Sequence, residues 1–268
     1  MERDHLNDVD LCFAVDTTGS MGGFIRSAQQ QLLDTMSLLS ADSNINLQVG
    51  LVEYRDHPPQ DRSFITRVYP LTADFKQMQK SINKLQAGGG GDAPEAVYRG
   101  VFDACTQMKW RDHSCRFVML VGDAPPHGFV AWLRENAGRN ISSGGDTWPN
   151  ACPSGLDVQS VTAEAENRRV KIYGLCMGAS QATREAFSAI AQFTGGQCEI
   201  ASNASHIISQ MVAVLNLEFR TVQFDRQVLE AVRVCDLVEL EDLAAKLETS
   251  RWTVAGAIAR LGKRGFLS

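Results

Sequence analysis

The sequence contains no run approaching the roughly 20 apolar residues that a membrane-spanning helix requires. Its opening residues, MERDHLNDVD, lack the apolar stretch of a signal peptide, so no membrane partner is expected. It also lacks a basic excess. Lys and Arg number 26 against 31 Asp and Glu, a net charge of −5, whereas counterion release rewards basic surfaces; nucleic acid is therefore not expected as the main partner. Paired cysteines are missing too: the seven present are scattered, odd in number and form no CxxC pair. That disfavours a disulfide framework and a cysteine zinc site. Cys12 and Cys176 fall inside apolar runs, where a thiol acts as a small hydrophobe, and reduced cysteines of this kind point to the cytoplasm. Apolar material itself is plentiful. With 44% hydrophobic and 21% charged residues over 268 positions, the chain can bury one large α/β domain, or one plus a small appendage.

The run VDLCFAV (9–15) has no alternation, which fits a central strand buried on both faces. It stops at Asp16, and the polar loop TTGSMGG leads into a helix with Ile25, Ala28, Leu32, Leu33, Met36 and Leu39 on one face. INLQVGLVEY (45–54) reads as a second strand, and SFITRVYPL (63–71) as an antiparallel third beyond the turn RDHPPQD. Strand patterns recur at RFVMLVGD (116–123), VKIYGLCM and QCEI, separated by helical segments, with a further helix over about 205–217. This alternation predicts an α/β fold: a mostly parallel sheet with one antiparallel edge strand and helices on both faces. From about Phe224 only three short helical segments follow. The predicted organisation is therefore a domain over 1–220 and a small helical domain over 221–268.

Ligands of open α/β sheets bind at the carboxyl edges of the strands. Two strands end there in Asp16 and Asp123, and the run GGGGD sets Asp92 in a loop before a helix. If the two strands are neighbours, these carboxylates converge, repel one another and raise their own pKa values. A hard divalent cation is the natural remedy. The loop DTTGS adds the hydroxyls of Thr18 and Ser20, and Mg²⁺, which takes six oxygens, would fill its shell from such groups and water. The plainer alternative makes DTTGS a helix-capping turn and Asp123 a loop acid. A phosphate-binding loop is disfavoured, because GK[ST] is missing and acids ring the site.

FAVDTTGSMGGFI resembles the metal-ion-dependent adhesion site loop, D-x-S/T-G-S, of von Willebrand factor type A (vWA) domains. LVEYRDHPPQD, GGGGDAPEAVYRG, VGDAPPHG and GGDTWPNACPSGLD resemble, in the same order, the subgroup found with alpha-kinases. The resemblance spans about residues 8–217. It implies a Rossmann-like vWA fold, Asp16, Thr18 and Ser20 as ligands of Mg²⁺ or Mn²⁺, and Asp123 as a direct or water-mediated one. It implies also an open metal position that accepts an Asp or Glu of a protein partner; an AAA+ ATPase or a multi-protein assembly is the kind of partner such domains serve. Many vWA domains supply a threonine where this chain has Gly91 or Asp92, so Asp92 is the expected substitute ligand.

Arg55, His57, His127, Trp132 and Trp148 stand in the two long loops, 55–62 and 124–157, and are the candidate partner contacts. For the histidines, loop structure or hydrogen bonding to the acids is favoured over a general-base role, and Trp132 and Trp148 serve equally well as anchors for a partner or as pins of the loop to its own domain. No substrate pocket is legible, so no catalytic activity is expected. The C-terminal stretch LEDLAAKLETSRWTVAGAIARLGKRGFL resembles a winged helix-turn-helix, with Arg251, Lys263 and Arg264 as candidate nucleic-acid contacts. Trp252, Ala255 and Gly256, early in its second helix, cannot hydrogen-bond bases in bidentate fashion, and Glu248 stands where such turns often carry glycine. The sequence thus describes a cytoplasmic, metal-dependent protein-interaction adaptor. The alternative is a DNA-binding regulator whose vWA domain senses a partner.

Overall fold

The computed structural model describes residues 5–42, 44–201, 203–235 and 239–267. β1 (Asp8–Asp16) lies at the centre of a six-stranded sheet between β2 (Asn46–Tyr54) and β4 (Cys115–Gly122), parallel to both. β5 (Val170–Met177) and β6 (Cys198–Ala201) extend the parallel sheet beyond β4, and β3 (Thr66–Thr72) pairs antiparallel with β2 at the opposite edge. This is the mostly parallel α/β sheet with one antiparallel edge strand that the sequence predicts.

The unalternating apolar run of β1 has a direct cause, because each of its faces feeds a different core. Val9, Leu11, Phe13 and Val15 join the cluster built with α1 (Gly22–Asp42), α2 (Phe75–Ile82) and α7 (Ala204–Cys235). Cys12 and Ala14 join the other, built with α3 (Val97–Gln107), α5 (Val158–Asn167) and α6 (Gln181–Phe193). Burial of this kind stabilises by about 25 cal/mol per Å² of apolar surface, which fixes the sheet register and with it the position of every strand end. Val15 pairs with Val121 and Asp16 with Tyr54, so Asp16 and Asp123 leave the sheet at the same edge.

Two expectations are corrected towards the C-terminus. The helix predicted to end near residue 217 runs unbroken to Cys235, so the segment 225–234 is the second half of α7 rather than a separate helix. No linker therefore falls at 218–224. The chain passes into its third apolar cluster within a helix, where Val228, Leu229 and Ala231 of α7 pack with Leu243 of α8 (Leu240–Lys246) and Val254, Ala257 and Leu261 of α9 (Arg251–Arg264). The turn between α8 and α9 holds Glu248 at φ 50°, the left-handed region where glycine is the easier residue. Ser250 caps α9 by accepting from the Thr253 N–H. No strand follows α9 among the described residues.

The second correction concerns Arg264, expected on a nucleic-acid surface. It is only 7% exposed. Its Nε donates to His113 O at 2.9 Å and its Nη2 to Leu6 O at 2.8 Å and His5 O at 3.3 Å. Apolar contacts in the third cluster turn this end of α9 inward, and its guanidinium satisfies carbonyls ahead of β1 and β4. Arg260 is likewise engaged, with both its Nε and Nη2 on the Asp225 carboxylate. Arg251 stays exposed, 3.4 Å from Glu241 and stacked on the Trp252 ring, and Lys263 is exposed. Replacing Arg264 by Ala strands buried carbonyls and should lower the unfolding free energy by about 2–4 kcal/mol. The exposed control Arg251→Ala should change it by no more than about 0.5 kcal/mol. Urea denaturation of both variants checks this; equal, mild effects would sink the idea that Arg264 clamps the C-terminal helices.

Candidate metal centre

β1 carries Asp16 to the sheet edge, and the following turn folds back over it. Thr18 donates twice to Asp16 Oδ1, from its hydroxyl at 2.6 Å and from its backbone N–H at 2.7 Å. Thr18 Oγ1 lies 3.5 Å from Ser20 Oγ, which donates to Asp123 Oδ1 at 3.0 Å. Thr17 faces away, its hydroxyl towards Glu53 and Tyr54 O. Alternate residues therefore aim Thr18 and Ser20 at one side, the arrangement expected of the DTTGS loop. Gly122 makes the approach of β4 possible: a Cβ there would stand 2.6 Å from Tyr54 Oη and 3.3 Å from Asp16 Cβ.

Backbone hydrogen bonds lace the surrounding loops together. Gly88 N donates to Thr17 O, Ala96 N to Arg55 O and Glu95 N to Pro125 O, at 2.9–3.0 Å. The last of these brings in an acid that sequence reasoning missed. Glu95 is 4% exposed, and its Oε1 lies 2.9 Å from where a Cβ on Gly90 would be, with Thr18 Cβ 3.5 Å from the same point. Gly90, at φ 81°, thus leaves room for the carboxyl beside Thr18. The signal for Glu95 was in the sequence, three residues beyond Asp92 in GGDAPEA, but a Glu ahead of a helix reads as a solvated first-turn acid.

Burial pushes the Asp16 carboxyl up to about 7, with the Asp123 charge adding to the shift. Burial likewise raises Asp123. Glu95 goes furthest, to about 11, through burial and the charges of Asp16, Asp56, Asp92 and Asp123. Two oxygens of this group, Asp16 Oδ2 and Glu95 Oε2, are buried without a hydrogen-bond partner. An unpaired buried carboxylate oxygen is costly, and a divalent cation held between Asp16, Asp123 and the hydroxyls of Thr18 and Ser20 would satisfy that of Asp16. The donor set is all oxygen, which suits Mg²⁺ or Mn²⁺.

Asp92 goes elsewhere. Its Oδ2 accepts from the Thr147 N–H at 2.6 Å, and its carboxyl groups with Asp56 and His127, one ligand atom of each lying within 4.8 Å of the others. The loop that follows β4 captures it there. His127, 1% exposed, is sandwiched: Nε2 is 2.7 Å from Asp56 Oδ1 and Nδ1 is 2.8 Å from Asp146 Oδ1. Although burial alone would lower its pKa, hydrogen bonds to Asp146 and Asp56 lift it to about 9. Burial lifts Asp92 to about 6. His57 moves the other way, to about 4, through burial and the neighbouring His127 charge.

The expected partner contacts are therefore largely internal. His57 and His127 are buried among acids and neighbouring loops. The Trp148 ring packs edge-on against His127 at 4.8 Å and His57 at 5.8 Å. Trp132 donates to Gly144 O at 3.1 Å from α4 (Val130–Glu135), which punctuates the long loop. Arg55 ties loops together through Thr17 Oγ1, Ser63 Oγ and Gln86 O, and stands 3.6 Å from Asp61. Long loops need such pins to hold a fixed shape, and these five residues supply them.

Residues 10–129 match the family model described as von Willebrand factor A domain. The chain is 27% identical over 166 residues to the alpha-protein kinase vwkA of Dictyostelium discoideum, which covers 62% of this chain and 24% of that protein. It is 30% identical over 135 residues to an ariadne-like RING finger protein of Acanthamoeba polyphaga mimivirus, covering 50% of this chain and 13% of that one. This chain thus spans under a quarter of the length of either relative. Among solved structures, the pilus adhesin SpaC of Lactobacillus rhamnosus GG in its open conformation aligns at TM-score 0.56 and 14% identity, over 80% of this chain and 30% of that one. The protein BatB of Bacteroides thetaiotaomicron aligns at TM-score 0.50 and 13% identity, over 80% of this chain and 98% of that one. The sheet order, its one antiparallel strand and the flanking helices are those of a Rossmann-like vWA domain.

The raised Asp16 pKa fixes the sign of a pH effect in metal-free protein. An acid whose folded pKa is raised stabilises fully below the unfolded value near 3.8, and that contribution is lost as pH rises through about 7. Asp16→Asn removes this loss, so with metal chelated the variant should gain stability relative to wild type between about pH 4 and 7. Thermal melts across that range check it, and a constant difference between the two proteins would contradict a buried, charge-strained Asp16.

Proposed function

We propose that this chain is a metal-dependent protein-interaction module, without catalytic activity, of the vWA type found with alpha-kinases. Asp16, Thr18, Ser20 and Asp123 would hold a divalent cation, Mg²⁺ or Mn²⁺, with Glu95 beside them. The observation that carries this reading is Asp16 Oδ2: a carboxylate oxygen at the sheet edge, in a residue 0% exposed, with no hydrogen-bond partner. A capping turn needs no such oxygen, because Asp16 Oδ1 alone takes both Thr18 donors.

When bound, the ion would offer an open coordination position to an Asp or Glu of the partner protein. The chain's own part is positioning. Thr18 and Ser20 bridge Asp16 to Asp123, Gly90 admits Glu95, and the pinned loops 55–62 and 124–157 form the collar that selects the partner. Ser20 is the exposed member of the set and marks the side from which a partner carboxylate approaches. The similarity to the Dictyostelium alpha-protein kinase supports the subgroup, without carrying kinase activity to this chain. Cys12, Cys105, Cys115, Cys152, Cys176 and Cys198 are free thiols, which supports the cytoplasm as the compartment. Among the described residues no helix is long and apolar enough to cross a membrane.

The α8–α9 pair is read as a second protein contact rather than a DNA reader. Trp252 is 73% exposed near the start of α9, while Arg260 and Arg264 are committed to internal partners. Calorimetric titration of Mg²⁺ and Mn²⁺ into chelator-treated protein tests the main reading. Saturable binding is expected in wild type, weakened at least about 100-fold in Asp16→Ala. A display library of Asp- and Glu-bearing peptides should then yield binders that chelator releases. Equal ion affinity in the two proteins would defeat the site, and peptide binding unaffected by chelator would defeat the mode of recognition.

A further inference from the structure

Asp56 is wholly buried, and its two oxygens have different fates. Oδ1 accepts from the His57 N–H at 2.6 Å and faces His127 Nε2 at 2.7 Å. Oδ2 is buried with no partner at all. Asp92 repeats the pattern: Oδ2 takes the Thr147 N–H, and Oδ1 is buried and unpartnered. The two carboxyls bring one oxygen each within 4.8 Å of the other, where two carboxylates repel unless a proton or a cation stands between them. His127 brings an imidazole nitrogen to the same point, within the 4.8 Å that contains one ligand atom from each of the three residues.

The outer groups are also set for coordination. Asp146 accepts from His127 at Nδ1, and Asp146 is itself held by the Gly128 N–H at 2.7 Å and the Trp148 N–H at 2.8 Å. A carboxylate on one ring nitrogen fixes the imidazole's tautomer and turns the other nitrogen towards the ion, as metal-ligating histidines generally require. Trp148 packs edge-on against the same ring at 4.8 Å and keeps it from rotating.

We propose that Asp56, Asp92 and His127 form a second cation site, separate from the one at Asp16 and selective for zinc-class ions. The selectivity follows from the donors. The Asp16 set is all oxygen, whereas an imidazole with two carboxylates suits Zn²⁺ above Mg²⁺ or Ca²⁺. Zinc takes such ligands at about 2.0–2.2 Å, which spaces tetrahedral ligand atoms roughly 3.3 Å apart. Atoms now spread over as much as 4.8 Å need to move by no more than about 1.5 Å to meet that spacing. The proton on Nε2 passes to solvent as the ion binds, the nitrogen lone pair goes to zinc, and Asp56 exchanges a hydrogen bond for a metal bond. Water completes the shell. Asp92 is only partly buried, so the ion enters from its side.

The function of this site would be to lock the loop 144–148 onto the loops bearing Asp56 and Asp92, shaping the collar around the first site. It does not depend on the first site being functional, and the experiment separates the two. Zinc is titrated into full-length Asp16→Ala protein after chelator treatment, followed by X-ray absorption at the zinc edge. One equivalent is expected, with one imidazole and oxygen ligands in the first shell. Asp92→Asn in the same background should weaken binding at least tenfold, and Asp146→Asn by about 10–100-fold with the imidazole signal broadened or lost. His127→Gln should abolish the imidazole signal, and circular dichroism verifies that each variant is folded. If folded Asp16→Ala protein binds no zinc, or if Asp92→Asn and His127→Gln bind it as well as their parent, the cluster is a buried ion-pair network and the proposal falls.

Discussion

Carboxylates brought together out of water, with too few positive groups to neutralise them, set the terms for this end of the molecule. Asp16, Glu95 and Asp123 arrive from β1, from the loop ahead of α3 and from the end of β4. Asp56 and Asp92 stand close enough to raise Glu95 further. Of the neighbouring cations, Arg55 is turned towards Asp61 and loop carbonyls, and His127 is shared between Asp56 and Asp146. Mutual repulsion at such separations costs several kcal/mol in a low-dielectric setting. A fold keeps such an arrangement only if burial elsewhere over-determines it and if the charge has a use.

The burial comes from the two cores that share β1. Because alternate residues of one strand feed both, β1 cannot slip by a residue without exchanging its faces, and Asp16 cannot leave the edge. The C-terminal helices add to this frame from the other end. Arg264 reaches the carbonyls of His5, Leu6 and His113, all ahead of β1 and β4, while the acids lie where those strands finish. With nine residues in β1, the two ends are roughly 26 Å apart at about 3.3 Å per residue. The C-terminal helices therefore brace the sheet from the end opposite the acids.

The sheet, its antiparallel edge and the trio Asp16, Thr18 and Ser20 were legible because each rests on a local pattern: an unalternating apolar run, a turn, two hydroxyls two residues apart. Asp123 was legible for the same reason, as the acid ending a second buried strand. What escaped depends on pairings across long sequence distances. Asp92 was assigned by its place in the glycine run, yet Thr147, 55 residues later, fixes its direction. Asp146 gave no sign of meeting His127, and Glu95 looked like a solvated helix-start acid. Arg264 was read from charge alone, although its place in the register of α9, three residues after Leu261, turns it inward. The unbroken α7 was missed because the changed residue pattern after 217 reflects a new packing partner, not a new element.

The separation of Asp92 from Asp16 bears on how the two acidic groups would work together. Had Asp92 joined the first set, the ion would sit among three direct carboxylates and offer little attraction to a partner's acid. With Asp92 drawn aside, Asp16 and Asp123 would leave a bound cation with residual positive charge, while in the metal-free protein burial and the acids around it push the Glu95 carboxyl up as well. That shift draws on the acids around Glu95, including Asp56 and Asp92 of the second cluster. A cation bound among Asp56, Asp92 and His127 would remove part of that repulsion, so the two acidic groups are electrostatically linked through the acids they share around Glu95.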